Sequence, residues 1–105
     1  MALIDGGTRF IYLLRAEFAE DGPEQEWNAW YDEKHVPELL TVPGFVSAKR
    51  YRDTSNPHSY LAAYEIERQN VFEEPRYREV TGWGEWEPYI RTWSRAVYEI
   101  RRTEF

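Results

Sequence analysis

The order of strand-like and helix-like segments constrains the fold of this chain more than any other feature. Apolar and aromatic residues typical of strands alternate with segments of helical character, and turn-forming residues separate them, most densely at 21–23 and 53–57. The predicted elements are a strand over 9–18, a helix over 24–34, strands over 45–52 and 59–67, a helix over 75–81 and a strand over 93–102. This order predicts an antiparallel four-stranded sheet with both helices on one face.

The order β-α-β-β-α-β is the ferredoxin-like arrangement of the α+β class. A chain of 105 residues is long enough for one such domain, so we expect a single domain over 1–105. We expect residues 1–8 to be frayed, because Gly6 and Gly7 separate the start from the first strand. Pro37 is expected to stop or kink the first helix at Val36, since proline disfavours helical geometry in the residue before it.

Side chains along a strand point alternately to the two faces of a sheet, which predicts the face that packs on the helices. The set expected there is Phe10, Tyr12, Leu14, Ala16, Phe18, Tyr60, Ala62, Tyr64, Ile66, Ala96, Tyr98 and Ile100. The other face mixes charges with an apolar centre of Leu13, Leu61, Ala63 and Val97. Because such patches usually mark an interface, we expect a second copy to cover it. Arg15, Glu65 and Glu99 are expected to pair around its rim; a monomer with a half-solvated sheet is the alternative.

Charge and composition exclude several classes of protein. The net charge of −6 disfavours nucleic acid and anionic membranes as partners, since both attract basic surfaces. No apolar run reaches the roughly 18 residues of a membrane span, and the first residues lack the pattern of a secretion signal. The chain contains no cysteine, which leaves no disulfide framework or thiol nucleophile. We expect a cytoplasmic protein.

Aromatic residues form 17% of the chain, with five Trp and eight Tyr. This exceeds what a small core needs and predicts an aromatic-lined pocket or an oligomer interface. The tyrosines expected to direct phenol groups into a pocket between sheet and helices are Tyr12, Tyr51, Tyr60, Tyr64 and Tyr98. A phenol can donate to a developing oxyanion; the alternative is that these rings only fill the core.

A second aromatic group lies near the end of the chain. Trp83, Trp86, Trp93 and Tyr89 surround glycines and Pro88. This composition suits a lid over one end of the pocket. A packed cap or a dimer contact are the alternatives.

His35 is the candidate catalytic residue. At about 100° per residue, the residues that share one arc of the first helix are Trp27, Trp30, Tyr31 and Lys34, with His35 at the edge of that arc. An imidazole exchanges protons near neutrality, and burial among aromatic rings favours the neutral form that a general base needs. Asp32 is a candidate to orient one ring nitrogen. The alternative is a structural histidine that hydrogen-bonds a carbonyl at the kink.

Other chemistries have weaker support in the sequence. His58 lies in the predicted hairpin turn and is expected to be solvated. Two distant histidines among scattered carboxylates make a poor metal site. Gly82 and Gly84 lack the rest of a phosphate-binding fingerprint, and no serine lies in a nucleophile-elbow pattern. We therefore expect neither a metal nor an organic cofactor.

The segments 27–40, 42–45 and 48–51 resemble the EthD-like branch of the dimeric α+β-barrel superfamily. The matching features are Trp30-Tyr31, His35-Val36-Pro37, Pro43-Gly44-Phe45 and Arg50-Tyr51. The resemblance implies a homodimer whose sheets face each other as a barrel, a ligand pocket between each sheet and its own helices, and a role for His35, which matches the family's helix-one histidine. The superfamily includes polyketide cyclases, muconolactone-type isomerases, cofactor-free monooxygenases and haem-dependent members.

Together these features predict a dimeric, cofactor-independent enzyme of isomerase, cyclase or lyase type. It would transfer a proton on a cyclic or aromatic small molecule. The expected catalytic residues are His35, Tyr51 and Tyr64, and the expected substrate-binding residues are Tyr12, Trp27, Trp30, Tyr31, Tyr60, Trp83, Trp86 and Tyr98. The alternatives are a binding protein that holds a hydrophobic metabolite unchanged, and a monooxygenase or haem-dependent enzyme in which His35 or His58 serves as axial ligand.

Overall fold

The computed structural model describes residues 8–105, and its elements follow the predicted order. The strands are β1 (Phe10–Phe18), β2 (Phe45–Arg52), β3 (Ser59–Ile66) and β4 (Ile90–Glu99), and the helices are α1 (Glu24–Trp30), α2 (Val36–Leu39) and α3 (Pro75–Val80). A π-helical turn, Tyr31–His35, joins α1 to α2, and 3-10 segments at Gln69–Glu73 and Gly84–Tyr89 flank α3. The predicted ferredoxin-like α+β fold is confirmed.

Residues 1–7 lie outside the described part of the chain, and so does the prediction that they are frayed. Thr8 is described and is 6% exposed. Its Oγ1 donates a hydrogen bond of 2.8 Å to Glu65 Oε2. No helix within 8–105 is long and apolar enough to cross a lipid bilayer.

The sheet has the order β2-β3-β1-β4, and all neighbouring strands are antiparallel. The buried residues on its helix-covered face are Tyr12, Leu14, Ala16, Phe18, Ala62, Tyr64 and Ile66. The alternation predicted for β1 and β3 is therefore confirmed. Trp27 fixes α1 on this face, because its fully buried ring stacks on Phe18 with centroids 4.7 Å apart. Replacing a residue packed in this way by alanine costs about 3–5 kcal/mol.

The predicted orientation of β4 is wrong. Val97 is paired with Tyr12, and Ala96 is paired with Leu13. Val97 therefore points toward the helices, whereas Ala96 and Tyr98 lie on the opposite face. Because β4 is an edge strand with small or apolar residues on both faces, its pairing with β1 decides which face is buried.

The helical segment between β1 and β2 differs from an ordinary α-helix. Its buried residues recur at every fourth position, at Trp27, Tyr31, His35 and Leu39. In an α-helix such residues drift by about 40° per step. The π turn, in which the Val36 N–H bonds the Tyr31 carbonyl five residues back, offsets that drift and keeps His35 on the buried face.

Two expectations for this segment change as a result. Lys34, expected on the buried arc, is exposed. Pro37 does not end the helix, because Val36 keeps helical angles of φ −63° and ψ −48° and α2 continues to Leu39. The irregularity expected at the proline lies in the π turn that precedes it.

The face away from the helices has an apolar centre, which we call the open face. Its central residues are Ile11, Leu13, Leu61, Ala63, Ala96 and Tyr98. Val97, expected here, lies on the other side. Arg15 and Glu65 bond within the chain, to Ser59 and Thr8, rather than to each other. Glu99 accepts an ion-pair contact of 3.2 Å from Arg9.

Candidate functional site

A cavity of about 160 Å³ lies between the sheet and the helical layer. Tyr12 and Leu14 of β1 and Trp93 and Arg95 of β4 form its sheet side, while His35 of the π turn and Trp83 after α3 lie among its other walls. The lining is mostly aromatic and apolar. Engineered apolar cavities of about 150 Å³ bind benzene, so this space matches a single aromatic ring.

His35 lies in the wall of this cavity and is 3% exposed. Its imidazole stacks on the Trp30 ring with centroids 4.5 Å apart and planes at 14°, and the Tyr31 ring packs edge-on at 5.1 Å. Burial, followed by the charge of Arg50, lowers the pKa of His35 to about 4. The imidazole is therefore neutral at pH 7, the form that accepts a proton.

Neither Asp32 nor a carbonyl at the kink, the two partners considered for His35, holds its ring. The carboxylate of Asp32, a candidate to orient the ring, instead accepts a hydrogen bond of 2.8 Å from Arg50 Nη1. Among residues 8–105 no hydrogen bond contributes to the pKa of the imidazole. A kink carbonyl therefore does not hold the ring either, and aromatic packing alone positions it.

Arg50 is a residue of this region that sequence reasoning missed. It projects from β2 beneath the helical segment, and its guanidinium carbon lies 4.0 Å from the centroid of the Tyr31 ring. The Trp27 and Tyr60 rings follow at 5.4 and 5.3 Å. Such cation–π contacts stabilise a buried guanidinium. They hold a positive charge near His35 with only 14% of the Arg50 side chain exposed.

The predicted tyrosines divide between cavity, core and open face. Tyr12 lines the cavity, and burial raises the pKa of its phenol above the usual range, so the hydroxyl stays protonated. Tyr64 is fully buried behind it, with ring centroids 5.5 Å apart. Tyr51 and Tyr98 were expected in the pocket, but they lie on the open face with 47% and 57% of their surface exposed. Neither reaches the cavity, which corrects that placement.

The predicted tryptophans also divide. Trp83 lines the cavity, Trp27 lies in the core, and Trp30 stacks on His35. Trp86 packs on Trp30 with centroids 6.1 Å apart. Trp93, expected in a lid, a packed cap or a dimer contact, is a wall of the cavity. Tyr31, with 2% exposure, is a core residue whose pKa burial raises to about 12.

Polar groups lie at the end of the cavity formed by β4. They were not predicted there, because the strand alternation in the sequence predicted the opposite orientation for β4. Arg95 Nη1 donates a weak hydrogen bond of 3.4 Å to the hydroxyl of Tyr77. Tyr77 and Tyr12 both border the cavity beside it. Among residues 8–105, the cationic side chain in the cavity lining is that of Arg95, and the hydroxyls are those of Tyr12, Tyr77 and Thr81.

His58 is not the freely solvated turn residue expected. Its Nδ1 lies 2.7 Å from Glu24 Oε1, and Tyr60 donates its hydroxyl to Glu24 Oε2 at 2.5 Å. The hydrogen bond with Glu24 raises the pKa of His58. These contacts tie the β2–β3 hairpin to the start of α1. Within residues 8–105 no group of three His, Cys, Asp or Glu side chains is arranged to hold a metal ion.

Solved structures with the same fold cover nearly the whole chain. SnoaB from Streptomyces nogalater, described as a cofactor-independent oxygenase, superimposes with a TM-score of 0.70 at 15% identity, covering 91% of this chain and 96% of its own. A dimeric ferredoxin-like protein from an uncultured marine organism gives 0.70 at 13%, with coverages of 93% and 91%. A protein provisionally called an antibiotic biosynthesis monooxygenase, from Nitrosomonas europaea, gives 0.67 at 11%, with 94% and 96%.

At these identities the likeness establishes the fold alone. None of the three is named as an EthD-like protein, so that part of the resemblance stays a prediction. No curated protein matches the chain. A family model does match residues 10–98, a stretch that contains β1, β2, β3, all but the last residue of β4 and every residue of the cavity wall. The chain therefore belongs to the family described as a domain of unknown function, DUF4286.

Proposed function

We propose that this protein is a cofactor-independent enzyme that removes a proton from a ring-bearing small molecule held in the cavity, with His35 as the base. One observation carries the proposal. A neutral imidazole lies in the wall of a ring-sized, aromatic cavity, and no hydrogen bond from residues 8–105 engages it. The resulting reaction class is isomerisation, cyclisation or elimination.

The reaction begins when an acidic C–H or O–H of the ligand transfers its proton to a ring nitrogen of His35. The ligand becomes an anion and His35 becomes an imidazolium. Protonating His35 at pH 7 costs roughly 4 kcal/mol, because its pKa of about 4 lies well below that pH. The attraction between the anion and the imidazolium, which is 3% exposed, offsets this cost. A base positioned in this way contributes on the order of 10²–10⁴ in rate.

The oxygen of the ligand anion needs its own stabilisation. Tyr12 borders the cavity with a hydroxyl that remains protonated. A phenol placed there can donate to a developing enolate or phenolate oxygen. Tyr64, expected to share this role, is fully buried and supports the Tyr12 ring from behind.

We also propose that the active form is a homodimer formed through the open face. Ile11 and Tyr98 expose 37% and 57% of their surface there, although both are large hydrophobic residues paired with each other on the face of the sheet. Exposed patches of this kind usually mark an interface. One structural neighbour is itself described as a dimeric ferredoxin-like protein.

A second candidate function is cofactor-independent oxygenation. SnoaB, which shares the fold, is described as a cofactor-independent oxygenase. The first step would be the same, since the ligand anion formed by His35 would itself supply electrons to dioxygen. The haem alternative has less support, because a pocket of about 160 Å³ encloses about one ring and would leave most of a porphyrin outside it.

Proton exchange into a simple ring ketone tests the proposal. Cyclohex-2-enone in D₂O should exchange its acidic ring hydrogens faster in the presence of the protein, as NMR measures. His35→Gln should lower the protein-dependent rate by about 10² or more, and His58→Gln, which lies outside the cavity, should not. Full exchange by His35→Gln would contradict the role of His35. A wild-type protein that binds the ketone without exchange would favour the binding-protein alternative.

Oxygen consumption separates the two catalytic candidates. With hydroquinone as the probe, an oxygenase should consume dioxygen in a reaction that His35→Gln slows. An isomerase, cyclase or lyase should exchange protons on the ketone and consume none.

A further inference from the structure

We propose that the Arg95 end of the cavity binds the anionic oxygen of a single-ring aromatic acid, such as a benzoate or phenolate, and thereby orients the ring toward His35. This inference rests on the proposed function for the cavity. It adds the class of ligand and assigns a binding role to Arg95. It depends on three observations: the size of the cavity, the unpaired charge at its end, and the hydroxyl groups beside that charge.

The volume sets the size of the ligand. About 160 Å³ is close to the space that holds benzene in an apolar cavity. Trp83 and Trp93, whose centroids lie 6.4 Å apart in a T-shaped arrangement, provide aromatic surfaces for a flat ring. A second fused ring would have to extend toward solvent and would gain little further burial.

The charge sets the chemical type. Arg95 has five N–H donors. Among residues 8–105 its hydrogen-bond partners are only hydroxyls: that of Tyr77 at 3.4 Å, and that of Tyr12, whose hydrogen bond is the main cause of the raised pKa of Arg95. None of the ion pairs in that part of the chain includes Arg95. Glu87 also borders the cavity, but it forms no ion pair with Arg95. A guanidinium with free donors beside an aromatic cavity suits a carboxylate or phenolate, which it can bind in a bidentate manner.

The neighbouring hydroxyls reinforce this choice. Tyr12 and Tyr77 are 3% and 7% exposed and border the same end of the cavity. Their phenols can donate to a second oxygen lone pair. The Phe72 ring lies 5.8 Å from the guanidinium carbon of Arg95, within the range of a cation–π contact. With the oxygen held here, the ring of the ligand would lie against the tryptophans, in the space that His35 also borders.

Ligand titrations followed by tryptophan fluorescence test the inference, because Trp83 and Trp93 line the site. Benzoate should bind at least about tenfold more tightly than benzyl alcohol, which has the same ring without the charge. 2-Naphthoate should bind no more tightly than benzoate. Arg95→Gln should remove the preference for benzoate over benzyl alcohol, and Arg95→Lys should restore part of it. The control Arg101→Gln changes charge equally at an exposed position and should preserve the preference.

The outcomes separate this inference from the proposed catalysis. Equal binding of benzoate and benzyl alcohol by the wild type, or an unchanged preference in Arg95→Gln, would overturn the inference. His35→Gln should still prefer benzoate, since it retains Arg95. If benzoate binds through Arg95 while cyclohex-2-enone exchanges no protons, anion recognition stands and catalysis by His35 does not. Proton exchange without a preference for benzoate would support catalysis by His35 and contradict anion recognition by Arg95.

Discussion

The Asp32 carboxylate lies 2.8 Å from Arg50 Nη1, and this pair places a cation beneath the helical turn that carries His35. Asp32 is largely exposed, whereas the Arg50 side chain is mostly buried against aromatic rings. Asp32 therefore acts on His35 indirectly, because it holds the positive charge of Arg50 near the imidazole. That charge is the second cause, after burial, of the low pKa of His35.

Replacing Arg50 by methionine should raise the pKa of His35 above its value of about 4. Methionine keeps much of the apolar stem but removes the charge. The pKa should stay below 6.5, because burial remains and is the larger cause. NMR titration of the imidazole protons measures this shift. Lys49→Met removes a charge from the adjacent, exposed position and should leave the His35 titration in place; equal titrations in both variants would contradict the assignment.

The buried imidazole should also make folding pH-dependent. His35 titrates near 6.5 when unfolded and near 4 when folded, so the unfolded chain binds more protons between these values. The free energy of unfolding should therefore rise with pH across this window, by roughly 3 kcal/mol from this residue. Urea unfolding from pH 4 to 7 should show a steeper rise for wild type than for His35→Gln. Parallel curves for the two proteins would contradict the low pKa.

His58 should have the opposite effect on stability. Its bond with Glu24 raises its folded pKa above 6.5. The stabilisation is fully present below the unfolded pKa and is lost as pH rises through the folded pKa. Unfolding measured from pH 6 to 9 should show a decline in wild type that His58→Gln lacks. Glu24→Gln should abolish the same decline, and its persistence in either variant would point to another group.

Much of this architecture could be predicted from the sequence because its signals are local. Turn residues and strand alternation located β1, β2 and β3 within a residue or two, and the aromatic pattern around His35 indicated a buried imidazole. The π turn could not be predicted in this way. An α-helical period places Lys34 on the buried arc, and only the extra residue in the turn moves His35 there.

The site residues that the sequence did not indicate were missed for one physical reason: the sequence does not show which face of the sheet each strand residue points to. A register shift between Phe45 and Ser47 reverses the alternation along β2, so nothing local indicates that Arg50 points toward the helices. In β4, apolar residues occur on both faces, so the sequence of the strand does not show which face is buried. The pairing of Val97 with Tyr12 places Arg95 and Trp93 on the helix-covered face. Long-range pairing decides both cases, and a single sequence does not display it.

Catalysis by a neutral His35 predicts an unusual pH profile. The value of kcat/KM reports ionisations of the free enzyme. Its acidic limb should therefore fall near pH 4, the pKa of His35, rather than near 6.5. Deuterium exchange into cyclohex-2-enone, measured from pH 3.5 to 8, provides the profile. Arg50→Met should move the limb to higher pH, and a limb near 6.5 in the wild type would indicate that another group is the base.

The proposed dimer predicts that a charge on the open face separates the subunits. Ile11 lies in β1, one of the two central strands, and is 37% exposed, so glutamate at this position can reach water in a monomer. In a dimer the same carboxylate would be buried against an apolar surface at a cost of several kcal/mol. Sedimentation equilibrium should therefore show a dimer for the wild type and a monomer for Ile11→Glu. Leu40→Glu, at a 39% exposed site after α2, should remain dimeric. A monomeric wild type, or a dimeric Ile11→Glu, would contradict assembly through this face.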